Sequence, residues 1–183
     1  RYDGPMEGQL ITSRDGLTWA RLAERAPVIP SGTDYDRSVM NVAVGPMVVG
    51  DEVWHYYTAI NATHGAPLPP KRISIALAKW RLDGWVSLAA DRAEGTIETK
   101  VIQGRTGALE INANAAEGWL AVEVLDAAAR ALPGYGVGEC VALTSDRIRH
   151  EVRWKAHGRL PAAGPYRLRF HLRSAELFSY TIR

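Results

Sequence analysis

Residues 166–173 read Tyr-Arg-Leu-Arg-Phe-His-Leu-Arg, an unbroken alternation with Tyr166, Leu168, Phe170 and Leu172 on one side and Arg167, Arg169, His171 and Arg173 on the other. Successive side chains of an extended strand point to opposite faces, whereas a helix would scatter these apolar groups around its circumference. The stretch therefore predicts a half-buried strand with one face on a core and the other in water. The same pattern sets Ile148, His150, Val152 and Trp154 against Arg149, Glu151, Arg153 and Lys155, and it returns at Phe178, Tyr180 and Ile182. The arginines of these runs mark the wet face of a sheet, with Glu151 among them, and not a stripe for nucleic acid.

Upstream, Leu109 and Ile111, then residues 120–125, flank a turn-rich stretch at 112–118 and predict strand, turn, strand. Residues 126–132 are rich in alanine, which favours helix, but Pro133-Gly134 closes the segment and it is too short to stand alone, so it reads as a strand end and loop. Residues 41–49 and 52–60 are two apolar runs separated by Gly50-Asp51, a pair that supplies the positive φ of a tight hairpin turn. Ile73, Ile75 and Leu77 alternate with small residues, and Asp83-Gly84 predicts a turn into residues 85–88 and a second hairpin. Between them, residues 61–71 carry Pro67, Pro69 and Pro70 and read as a surface loop, because proline withholds ladder donors. The polar stretch 91–96 marks a boundary, giving an all-β chain with one β domain over 1–95 and another over 96–183.

With 183 residues, 46% hydrophobic and 23% charged, the chain has the composition of a soluble globular protein. Its 22 basic and 20 acidic residues nearly balance, so no field recruits nucleic acid or anionic membrane as a partner. No apolar run approaches the ~20 residues of a membrane-spanning helix. Cys140 is the single cysteine, which excludes an internal disulfide. The five histidines are scattered, so neither metal nor other cofactor is expected. Ser38 and Ser87 lack a nucleophile elbow, and no glycine-rich phosphate loop opens a helix. The first residues do not resemble a signal peptide and an initiator Met is absent, which suggests a trimmed or excised product.

The most specific short pattern is Ser13-Arg14-Asp15-Gly16-Leu17-Thr18-Trp19. Its Asp15 carboxylate can accept turn amides, Gly16 suits the left-handed position, and Trp19 is expected to return beneath the turn. The motif resembles the Ser-x-Asp-Gly-x-x-Trp hairpins repeated in five-bladed propeller glycosidases that act on furanosides and pentosides, the fructosidase-like and arabinanase-like groups. It also resembles the sialidase Asp-box, one residue shorter. Residues 36–90, with Asp36, the Gly50-Asp51-Glu52-Val53-Trp54-His55-Tyr56-Tyr57 hairpin, His64-Gly65 and Arg81-Leu82-Asp83-Gly84-Trp85, are similar to the closing region of bacterial fructosidase-like glycosyl hydrolases. In these a compact β-sandwich comes after the propeller.

The resemblance implies terminal propeller blades followed by a β-sandwich, a carbohydrate partner, and a secreted or periplasmic location. A blade needs about four strands and closure at least four blades. Residues 1–95 hold at most about one and a half blades, so association with the rest of a propeller, or with a second copy, is expected. Glycosidases use paired carboxylates. Asp36 precedes a strand whose start would face a propeller axis and is the catalytic candidate, with Asp34 competing for the same position. Asp34, Arg37 and His64 are the substrate-binding candidates, and most catalytic residues are expected upstream. The alternatives are a noncatalytic carbohydrate-binding or structural module and an adhesive domain with protein partners.

Overall fold

The computed structural model describes residues 3–42, 45–162 and 164–183, and the chain is all-β, built from several antiparallel sheets with none closed into a barrel. It divides into two compact units, Arg1–Trp85 and Val86–Arg183.

In the first unit, β1 (Gly8–Gln9), β2 (Ile11–Thr12), β3 (Ala20–Arg21) and β4 (Pro27–Ile29) are short, with β1 paired to β4 and β2 to β3. The β2–β3 hairpin is closed by the Ser13–Trp19 motif. Asp15 Oδ1 accepts the peptide N–H groups of Leu17 and Thr18 at 2.8 and 2.7 Å, the Thr18 hydroxyl donates to Oδ2, and Gly16 takes φ 74°. Those donors, the Thr18 amide first, hold the Asp15 carboxyl well below the usual carboxylate range. Trp19 corrects one expectation: it is 57% exposed and does not lie buried beneath the turn. The Asp15 carboxylate and the Ser13 hydroxyl, which accepts the Gly16 N–H, satisfy the turn without the indole, and the two-residue strands offer little surface to cover it.

The main sheet of this unit contains β5 (Ser38–Val42), β6 (Met47–Val49), β7 (Glu52–Ile60) and β8 (Ile73–Arg81). Since β8 pairs with β7 along its full length, from Glu52 opposite Arg81 to Ile60 opposite Ile73, β5 and β6 share the other edge of β7. Gly50 at φ 61° makes the expected turn, with Val49 opposite Glu52. Val39, Tyr57 and Ala59 bury one face with Ile29, and Ala76, Ala78 and Trp80 pack against them. On the other face Tyr56, Ile73 and Ile75 are exposed.

The expected hairpin from residues 73–81 into 85–88 does not form. Gly84 turns back, donating its N–H to the Arg81 carbonyl, and Trp85 packs edge-on against Trp80 at 6.2 Å between ring centroids instead of extending. The next strand, β9 (Leu88–Ala90), pairs with the last strand of the second unit.

The second unit adds β10 (Gly95–Glu98), β11 (Leu109–Asn114), β12 (Trp119–Leu125), β13 (Asp146–Glu151), β14 (Arg167–Arg173) and β15 (Ala175–Ile182). One sheet runs β10-β14-β12 and the other β13-β11-β15-β9. The turn at 115–118 thus carries the chain from one sheet to the other: β11 pairs with β13 and β15, and β12 with β14. Leu120, Val122, Val124, Leu168, Phe170 and Leu172 of the first sheet meet Leu109, Ile111, Ala113, Ala175 and Leu177 of the second in one core. This is a β-sandwich whose inward residues are the alternate positions of each strand.

Trp154 is buried with its indole N–H donating to the Val122 carbonyl at 2.8 Å. The alanine-rich stretch after β12 is a loop, in agreement with its sequence: Asp126 Oδ1 accepts the N–H groups of Ala128 and Arg130, and Leu132 N–H returns to the Val124 carbonyl. The outer face of β14 carries the predicted wet side chains. Glu98 bonds both Arg167 and Arg169, and Glu123 bonds Arg169 and His171.

Candidate functional site

Asp36 lies in the turn before β5. The Gly32 N–H donates to the Asp36 carbonyl at 2.8 Å, and the Asp36 carboxylate lies directly over the Gly32 α-carbon, where a side chain on residue 32 would collide with it. A Cβ at residue 32 would force this carboxylate to move. The Tyr57 hydroxyl, reaching from β7, donates to Asp36 Oδ2 at 3.4 Å. Asp36 is half-buried, in contrast to exposed Asp34 two residues earlier.

Tyr57 is buried, and its hydroxyl is pushed up to about 12, by burial first and then by Tyr35 and the Asp36 charge. It therefore remains a neutral donor to the carboxylate at ordinary pH. Ser38, at the head of β5, is fully buried, and its hydroxyl has no hydrogen-bond partner among the described residues.

Arg37 turns back on its own loop, its Nε donating to the Thr33 carbonyl at 3.1 Å. His64 is exposed in the proline-rich loop. That loop is anchored by Asp3, which accepts the Thr63 hydroxyl at 2.7 Å and the Gly65 N–H at 2.8 Å, while the His64 carbonyl accepts from Lys71 Nζ. The Thr63 hydroxyl first, then the Gly65 amide, holds the Asp3 carboxyl below its usual range. The contacts of Asp36, of Arg37 and of the His64 loop are thus made with different partners. Asp36 engages Gly32 and Tyr57, and the His64 loop engages Asp3 and Gly4.

Sequence reasoning misses Tyr57 and Asp3. In the sequence Tyr57 is one member of an aromatic run, although its position in the period-two pattern of β7 puts it on the same face as Val53 and Ala59. Asp3 is 60 positions from Thr63, and no local signal joins them.

Among the described residues no three His, Cys, Asp or Glu side chains gather at metal-binding spacing, and no helix is long and apolar enough to cross a membrane. The second unit has a shallow hollow of about 670 Å³ at the β9–β10 turn, floored by Ala89, Ala90 and Ala175, with Asp91, Glu117 and Glu176 around it. A second, of about 400 Å³, lies beside Tyr180. Comparison with protein families, with curated proteins and with solved structures found no match.

Proposed function

We propose that this chain is the closing part of a glycoside hydrolase of the propeller type, acting on furanoside or pentoside sugars, with the first unit contributing blade sheet and the second an accessory β-sandwich. The observation that carries this reading is Asp36, a half-buried carboxylate seated on Gly32 and oriented by the Tyr57 hydroxyl at the mouth of a strand. A carboxylate fixed in this way can serve as one member of the acid pair that glycosidic cleavage requires. The other member comes from sheets beyond this chain. The exposed apolar face around Ile75 supports such neighbours, because a sheet apolar on both sides belongs between layers.

Turnover of aryl furanosides and pentosides by the longest encoded form tests the reading. Asp36→Asn is expected to reduce kcat by at least about 100-fold, the usual scale for a positioned acid or base, with an unchanged melting temperature. Turnover that survives the substitution removes Asp36 from the reaction.

A second reading, a noncatalytic carbohydrate-binding module, is favoured by the hollow beside Tyr180, since a part-exposed aromatic ring next to polar groups suits a sugar. Glycan-array binding by the 183-residue chain without any hydrolysis selects it.

A further inference from the structure

The hollow of about 400 Å³ on the second unit is lined by Ile102, Arg105, Tyr180, Thr181 and Ile182. Its size falls at the lower end of ligand sites. Tyr180 projects from β15 on the core side of its sheet, opposite Ile111, with its ring tilted against Phe170 at 5.5 Å between centroids. It is nevertheless 39% exposed, so the ring has both a packed and an open portion. Ile102 and Ile182 are held against the same core and give the hollow apolar flanks.

Arg105 supplies the charge, and its backbone is fixed. The buried Tyr166 donates its hydroxyl to the Arg105 carbonyl at 2.8 Å, and the next residue, Thr106, bonds the Leu160 carbonyl. Gly107 passes so close to the Arg183 backbone that no side chain fits there. Arg105, exposed, and Tyr180 line the same hollow. The nearby Glu110 is already bridged to Arg183 at 3.0 Å, and Arg105 has no acid partner among the described residues.

We propose that this hollow binds a uronic-acid residue of an oligosaccharide, with the sugar ring against Tyr180 and its carboxylate on the Arg105 guanidinium. The assignment rests on the carbohydrate reading and sharpens it. Guanidinium and carboxylate match in planar, two-pronged hydrogen bonding, and an aromatic ring offers its face to the apolar side of a pyranose.

Calorimetric titration of the 183-residue chain with α-1,4-trigalacturonate and with its fully methyl-esterified form tests this, since the two probes differ in charge and share ring and linkage. The acid is expected to bind at least about tenfold more tightly than the ester. Arg105→Gln should erase that preference, and Tyr180→Ala should weaken both probes. Because Tyr180 also packs on Phe170, thermal melts accompany both variants, and exposed Arg105 decides the matter if Tyr180→Ala unfolds. Equal affinity for acid and ester, or wild-type affinity in Arg105→Gln, overturns the assignment. If an array finds other sugars bound while trigalacturonate is ignored, the hollow is wrongly assigned and the carbohydrate reading stands. If no glycan binds and no glycoside is turned over, both fall.

Discussion

The two units solve the same problem, hiding one face of an antiparallel sheet, to different degrees. Of the twelve largest fully buried side chains among the described residues, eleven lie in the sandwich and Ile60 is the other. The sandwich closes sheet on sheet, and β14 alternates strictly, so each outward position of β14 from 167 to 171 is free to pair with Glu94, Glu98 or Glu123. The sheet of the first unit has one covered face. Its central strand, Glu-Val-Trp-His-Tyr-Tyr-Thr-Ala-Ile, carries apolar and aromatic groups on both sides, Val53, Tyr57 and Ala59 on the covered one and Trp54, Tyr56 and Ile60 on the other beside Glu52 and Thr58, where β14 has a wholly polar outer side. Strictness of alternation thus tells a finished layer from one with an apolar face left over.

The sharpest test of that contrast is the cost of emptying each core. Phe170→Ala, in the middle of the sandwich, is expected to lose about 3–5 kcal/mol of unfolding free energy in urea titration. Val39→Ala, in the thinner core of the first unit, is expected to lose about 1–2 kcal/mol, at roughly 0.8 kcal/mol for each buried methylene. Equal losses would erase the distinction between the units.

A smaller effect appears in alkali. The hydroxyl of Tyr57 titrates near 12 in the folded protein, above the ordinary tyrosine value near 10 that it regains on unfolding. A raised pKa means that the folded state holds its proton more tightly. This stabilisation is complete below about pH 10 and is lost as pH rises toward 12. Burial also raises Tyr135 and Tyr166, so absorbance of phenolate near 295 nm should show a late-titrating component that shrinks in Tyr57→Phe, and that variant should have a flatter fall of urea midpoint over the same interval. A wild-type curve superimposable on the variant's would mean that Tyr57 is not enclosed against Asp36.

How far these features can be read from the chain depends on how local their causes are. Tyr166 to Arg173 declares its own burial pattern, since alternation needs no knowledge of the partner strand, and Gly50-Asp51 declares its hairpin through backbone conformation alone. Which sheet each strand joins is not legible: β11 and β12 are consecutive yet lie in opposite sheets. Residues 85–88 mislead because turn chemistry at Asp83-Gly84 is indifferent to the residues after it, and the Trp80–Trp85 contact decides the outcome. At the candidate site, Asp36 can be picked out by type and position. The groups that hold it, Tyr57 from β7 and the gap at Gly32, depend on tertiary geometry.

The smallest predicted effect bears most directly on the comparison. Ile75 sits in β8 opposite Thr58, on the uncovered face, and is 82% exposed. Having little burial to lose, Ile75→Lys should shift the unfolding free energy by no more than about 0.5 kcal/mol in either direction, the usual range for surface changes. Its effect should appear instead in concentrated solution, where replacing an apolar group on an exposed sheet face by a charge reduces light scattering. The matched change Leu168→Lys, at a fully buried position of the sandwich, would force an ammonium into the core and should prevent folding. If Ile75→Lys cost several kcal/mol in the 183-residue chain at low concentration, the face would already be covered, and the first unit would be as complete as the second.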